Sequence, residues 1–269
     1  MSVWRQVRGA ALGLGLVALV GCPSPPRERV TALDVRPYPT CPDGEHVREV
    51  VGTGLLRAGP VMREPSVIER FELARRGCHI VYTSREDWAL GATELEIVYD
   101  ADLRPLRVWK RSTSPGPQPV AQRTDVRVYD LRGARVEMTR RTPTGDLERF
   151  LVGRAIPAVV IATGRGMVTP WLQRAHLAVG GRVREPVLDV REAVERVRDV
   201  TLQRVEDRMD PTLGRRVRVY TIFGREPIFA DENDVVVGDL MGMVPAALVT
   251  TPEPAWAATD GPPEPARAP

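Results

Sequence analysis

Between Thr93 and Val152 the chain alternates. Leu95, Ile97 and Tyr99 fall on one side of an extended backbone while Glu94 and Glu96 fall on the other, and a period of two marks a strand with one buried and one wet face. Turn residues punctuate the pattern at Asp100-Ala101-Asp102, Leu131-Arg132-Gly133 and Pro143-Thr144-Gly145. Between them the pairs Leu106/Val108, Val126/Val128 and Val136/Met138 repeat the spacing. Alternating segments joined by short turns have to pair with their neighbours in antiparallel fashion. The expected fold is mainly β, an antiparallel meander with one or two short helices. Leu95, Ile97, Tyr99, Val126, Val128, Val136 and Met138 are expected on one broad apolar face, with rows of Arg and Glu on the solvated one.

Elsewhere the pattern is mixed. Ser66-Val67-Ile68-Glu69 fits a helix capping box, yet Val67, Glu69, Phe71 and Leu73 alternate as a strand would. Ile156 to Ile161 is apolar and broken by Pro157, which leaves a buried strand or a short helix. Thr169-Pro170-Trp171 reads as an N-cap followed by proline at the first helical position. A short helix through His176 would turn Trp171 and Leu172 toward the apolar face. Glu192 to Arg208 is helix or strand; Asp210 to Gly214 is a turn; Val217 to Phe223 and Asp234 to Gly238 are strands.

The N-terminus carries an address. Arg5 and Arg8 precede an unbroken run of Ala, Leu, Gly and Val from Ala10 to Val20. That run is too short for a membrane span and has the length of a signal-peptide core. It ends in Leu19-Val20-Gly21-Cys22, which resembles the lipobox of bacterial lipoproteins. The resemblance implies a diacylglycerol on the Cys22 thiol, cleavage before Cys22 and acylation of the new amine. Pro23 rather than Asp follows the cysteine, which in that family favours the periplasmic face of the outer membrane. Pro23-Ser24-Pro25-Pro26 is a semi-rigid spacer. The expected organisation is a signal peptide over 1–21, a lipidated irregular arm over 22–65, a β domain over 66–249 and a disordered tail over 250–269.

Charge excludes one class of partner. The chain has 38 basic and 35 acidic residues; Arg5 and Arg8 leave with the leader and no acid does, so the mature chain is close to neutral. That is no footprint for nucleic acid. Lys110 is the only lysine. With Cys22 acylated, Cys41 and Cys78 remain, and two thiols in an oxidising compartment are expected to form a disulfide. A metal site with His46 and His79 competes, without C-x-x-C or H-x-x-x-H spacing to support it. There is no G-x-S-x-G, P-loop or H-E-x-x-H. Gly164-Arg165-Gly166 reads as a turn before the helix. The acids Asp231, Glu232, Asp234 and Asp239 lack calcium-loop spacing and read as a solvated loop. No cofactor or metal is expected.

A second resemblance covers roughly residues 70 to 245. It rests on Gly91-Ala92-Thr93-Glu94-Leu95, Asp102-Leu103-Arg104-Pro105-Leu106, Asp125-Val126-Arg127-Val128, Val217-Arg218-Val219-Tyr220 and Asp234-Val235-Val236-Val237-Gly238. These runs resemble uncharacterised exported β-proteins similar to the periplasmic lipoprotein carriers. The resemblance implies a half-barrel sheet over an apolar cavity with a helical lid, and it carries over no functional residue. Three functions follow as expectations. The first is a non-catalytic envelope lipoprotein binding an apolar or lipidic ligand through the seven apolar strand residues and Trp171. The second is an adaptor for an envelope protein. The third is a hydrolase with an unmarked Asp/Glu/His site. Replacing Cys22 with Ser is expected to abolish acyl labelling and release the protein from the membrane fraction; unchanged fractionation would remove the lipid anchor from the account.

Overall fold

The computed structural model describes residues 28–33, 41, 48–58, 67–89, 91–153, 156–191, 195–240 and 242–249. In chain order its strands are β1 (Glu28–Arg29), β2 (Arg48–Ala58), β3 (Ile68–Arg76), β4 (His79–Trp88), β5 (Gly91–Tyr99), β6 (Pro105–Thr113), β7 (Thr124–Asp130), β8 (Val136–Arg141), β9 (Leu147–Gly153), β10 (Val159–Ile161), β11 (Arg182–Asp189), β12 (Arg196–Asp210), β13 (Arg215–Ile222), β14 (Glu226–Ala230), β15 (Val236–Asp239) and β16 (Met243–Pro245). The helix α1 spans Thr169–Ala175. The fold is mainly β, with a half-barrel-like sheet of ten strands and a second sheet of six.

The ten-stranded sheet runs β1-β9-β8-β7-β6-β5-β4-β3-β2-β16, every pair antiparallel. Residues directly opposite each other share a face, so the register sorts the inner face into rows. One row is Leu73, Tyr82, Ile97, Val108, Tyr129 and Met138. The next is Phe71, Ser84, Leu95, Lys110, Arg127 and Arg140. The third is Glu69, Glu86, Thr93, Ser112 and Asp125. The inner face therefore grades from apolar to polar toward the end where β3 begins and β4 ends.

The six-stranded sheet, β10-β11-β12-β13-β14-β15, covers this inner face. One core draws Tyr82, Ile97 and Tyr129 from the first sheet and Val187, Leu202 and Ile222 from the second, with Trp171 and Leu172 of α1. Lys110 Nζ donates to the Val190 carbonyl at 2.6 Å, and the Tyr129 hydroxyl donates to Glu195 Oε1 at 3.0 Å. The cover is thus a second sheet rather than a helical lid. It is not wholly antiparallel, because β10 runs parallel to β11.

Several expectations are corrected. Val126 and Val128 stand opposite Arg111 and Trp109 on the outer face, not with Leu95, Ile97 and Tyr99. Strand β7 buries Thr124, Val126 and Val128 on the outer face as well as Tyr129 on the inner one, so its apolar residues do not reveal which side is the core. Residues 48–58, expected in the irregular arm, form β2 along β3. The capping-box segment continues as strand β3, Val159–Ile161 is a strand, and Arg196–Asp210 is one long strand. Val168, not Thr169, caps α1; the Thr169 hydroxyl accepts the Val236 N–H at 3.1 Å instead. Cys22, the signal segment and the tail after 250 lie outside the described residues. At β1 the chain, read backwards from Arg29 to Glu28, runs beside β9 from Glu148 to Arg149, toward the end opposite the polar row.

Phe71 shows how tightly the first sheet packs against itself and the loop after β10. Its ring stacks on Tyr82 with centroids 6.0 Å apart. A Cβ on Gly54 would lie 2.2 Å from the ring, and one on Gly166 would lie 2.3 Å from it. Gly54→Ala and Gly166→Ala are each expected to cost about 1–3 kcal/mol, seen as a lower melting temperature. Gly133→Ala, whose added carbon meets nothing nearer than 3.8 Å, serves as the control.

Candidate functional site

The polar end of the inner face closes on the loop that follows β10. Glu69 and Glu86 are cross-strand partners on β3 and β4, both turned inward and almost fully buried. An anionic carboxylate in such a place needs donors, and Glu69 has three. Its Oε2 accepts the Arg165 N–H at 2.7 Å, and its Oε1 accepts the Gly166 N–H at 2.8 Å and the Tyr82 hydroxyl at 3.2 Å. Glu86 Oε1 accepts the Thr163 hydroxyl at 3.0 Å. Its Oε2 has no hydrogen-bond partner among the described residues.

Gly164 lies between the two acids. A Cβ there would be 2.8 Å from Oε1 of each, so a side chain at this position would collide with both. The Arg165 side chain turns away to Asp239, Nε to Oδ2 2.6 Å, and Asp239 Oδ1 accepts the Met243 N–H at 2.9 Å. These contacts tie β3, β4, the loop and the β15–β16 turn into one assembly.

Burial pushes the Glu69 carboxyl above its ordinary range, against the pull of the Arg165 and Gly166 amides. Burial and then the nearby Glu69 carboxylate raise Glu86 to about 8, opposed by Thr163, Lys110 and Arg165. Glu86 therefore keeps its proton at neutral pH. Burial also lowers Lys110. The pair faces a pocket of about 240 Å³ lined by Val67, Glu69, Glu86, Trp88, Thr163, Arg165 and Met243.

The sequence-expected residues lie elsewhere. Leu95, Ile97, Tyr99, Val136, Met138 and Trp171 come together, but as filled core that does not line this pocket. Val126 instead lines an open groove on the outer face with Trp109. Cys41 and Cys78 are joined by a disulfide with Cα atoms 5.5 Å apart. His79 Nδ1 is 3.5 Å from the Cys41 sulfur, but a bonded sulfur offers no thiolate to a metal, and His46 lies outside the described residues. Asp231 and Asp234 close a turn, Asp231 accepting the Asn233 and Val235 N–H groups at 2.9 Å. His176 ends α1 in the left-handed region, 3.5 Å from Asp234. Glu69, Glu86, Trp88, Thr163 and Arg165 were not marked as a site by sequence. The signal was present in part: the alternation of Val67, Glu69, Phe71 and Leu73 puts a carboxylate at a core position.

No family model and no curated protein matches the chain. Among solved structures the chain is similar to a DUF1089 family protein from Pseudomonas aeruginosa, at 14% identity over 67% of this chain and 92% of that one, with a TM-score of 0.41. It is also similar to a β-barrel-like protein of the domain of unknown function DUF1849 from Brucella abortus, at 11% identity over 71% of this chain and 82% of that one, with a TM-score of 0.38. Likeness at this level bears on neither ligand nor chemistry.

The carboxyl pair makes stability depend on pH. Glu86 titrates at about 8 when folded and at its ordinary 4.5 when unfolded. Between those values the unfolded chain binds fewer protons, so stability falls as pH rises and levels off above about 8. Glu86→Gln cannot ionise. Thermal melts from pH 5 to 9 are expected to show the wild type losing on the order of a few kcal/mol while the variant's profile is flatter. An equal slope in the variant would place the titrating group elsewhere.

Proposed function

We propose that this chain is a lipid-anchored envelope protein, held to the membrane through Cys22, whose two-sheet domain binds a small molecule beside Glu86 without transforming it. One observation carries the reading. Glu86 is a buried carboxyl with one oxygen that has no partner among the described residues, and it faces a pocket whose other walls include the apolar Val67, Trp88 and Met243. A concave, largely apolar site with a few placed polar groups is the usual form of a small-molecule site. At about 240 Å³ it suits a short chain or a single ring rather than a membrane acyl chain. The filled core around Leu95, Ile97 and Tyr99 supports the same conclusion. Attachment to the outer membrane, facing the periplasm, rests on the signal layout and Pro23.

Binding is preferred to turnover because Glu69, the group best placed to trade protons with Glu86, already accepts three donors. One observation favours a second reading, acid–base catalysis: a proton held to about 8 beside another carboxyl is how general acids are prepared. Screening small apolar fragments by thermal shift against the purified full-length chain tests both. Fragments are expected to raise the melting temperature of the wild type and not of Val67→Trp, in which the pocket is filled. The binding reading fails if no fragment stabilises the wild type, or if Val67→Trp responds equally. Chemical change of a bound fragment would put the catalytic reading first.

A further inference from the structure

We infer that the molecule this pocket takes carries a protonated primary amine on a short apolar body, with the ammonium on Glu86 and the body against Val67, Trp88 and Met243. The inference rests on the ligand-binding reading above and deepens it. It follows from which groups around the pocket are already engaged. Glu69 accepts two backbone N–H groups and the Tyr82 hydroxyl. Thr163 gives its hydroxyl proton to Glu86 Oε1. The Arg165 charge is matched by Asp239 at 2.6 Å. What remains beside the cavity is Glu86, whose Oε2 has nothing donating to it among the described residues and becomes an open acceptor once the carboxyl gives up its proton. A ligand that donates hydrogen bonds complements it, and an ammonium donates only.

Charge points the same way. With Arg165 balanced by Asp239, the groups that remain are the Glu69 and Glu86 carboxyls against Lys110, whose ammonium is bonded to the Val190 carbonyl. With both carboxyls ionised, the surplus near Glu86 is negative. The same field holds a proton on Glu86, and an ammonium can take that proton's place. Trp88 supplies an aromatic wall of the kind that attracts cations. The exchange balances: the Glu86 O–H bond breaks, its proton passes to the buffer, and a carboxylate–ammonium pair forms with no covalent bond to the ligand. Below about pH 8 binding is therefore coupled to release of up to one proton. The groups that set this titration are Glu69 on β3, Thr163 and Arg165 on the loop, and Lys110 on β6.

Three probes of matched length separate the possibilities: hexylamine, hexan-1-ol and hexanoate, titrated calorimetrically into the full-length chain at pH 6, 7 and 8. Hexylamine is expected to bind, tightening about tenfold per pH unit up to the titration of Glu86. Repeating the pH 7 titration in buffers of different ionisation enthalpy is expected to show close to one proton released. Glu86→Gln is expected to weaken hexylamine and abolish its pH slope. The wild-type slope and proton count do not depend on how that variant folds. Hexylamine affinity that is flat or falls with pH, or a preference for hexanoate or hexan-1-ol, overturns the amine while leaving a ligand site. Failure of all three probes to bind overturns the amine and the ligand-binding reading together.

Discussion

A carboxylate withdrawn from water loses hydration worth many hydrogen bonds, and it stays folded away only where the protein supplies donors in return. Glu69 is in that position, and its donors come from a distant stretch of chain. The amides of Arg165 and Gly166 are 96 and 97 residues downstream. Meeting this one demand brings the loop after β10 down onto β3 and β4. That seats Gly166 against Phe71 and starts α1 where Trp171 and Leu172 enter the core. Glu86 inherits its environment from the same event. Once Glu69 is held as an acceptor, its neighbour across the strands sits beside a negative group under low solvation, and the proton stays.

The grading of the inner face follows from alternation combined with register. Each strand from β3 to β7 places an apolar residue in the row through Tyr82 and a polar one in the row through Glu86. The second sheet can pack densely only over the apolar rows. At the polar end, close packing would strand unpaired groups, and the interface opens into a pocket instead. Site and core are thus two ends of one surface.

How much of this could be read from sequence depends on what each face buries. Leu95, Ile97 and Tyr99 were legible because their neighbours Glu94 and Glu96 are plainly unlike them. Val126 and Val128 were not, because Arg127 points inward and is neutralised there by Asp125 and Glu195. An inward arginine defeats an inference that equates polar with wet. Strand β2 was missed because it contains two glycines and its sequence neighbours are rich in proline and charge; Gly54 is there so that Phe71 can lie across it. The site was half visible. Glu69 shares the parity of Phe71 and Leu73, but nothing local announces that Gly164-Arg165-Gly166 is its partner. That pairing is a product of the two-sheet topology.

Lys110 has a practical consequence. It is the one lysine in 269 residues, it is buried, and its ammonium is fastened across the inter-sheet space to the carbonyl of Val190. An amine-directed reagent therefore meets no side-chain target while the sheets are closed. The rate at which a single label appears at this position becomes a clock for their parting, readable by mass.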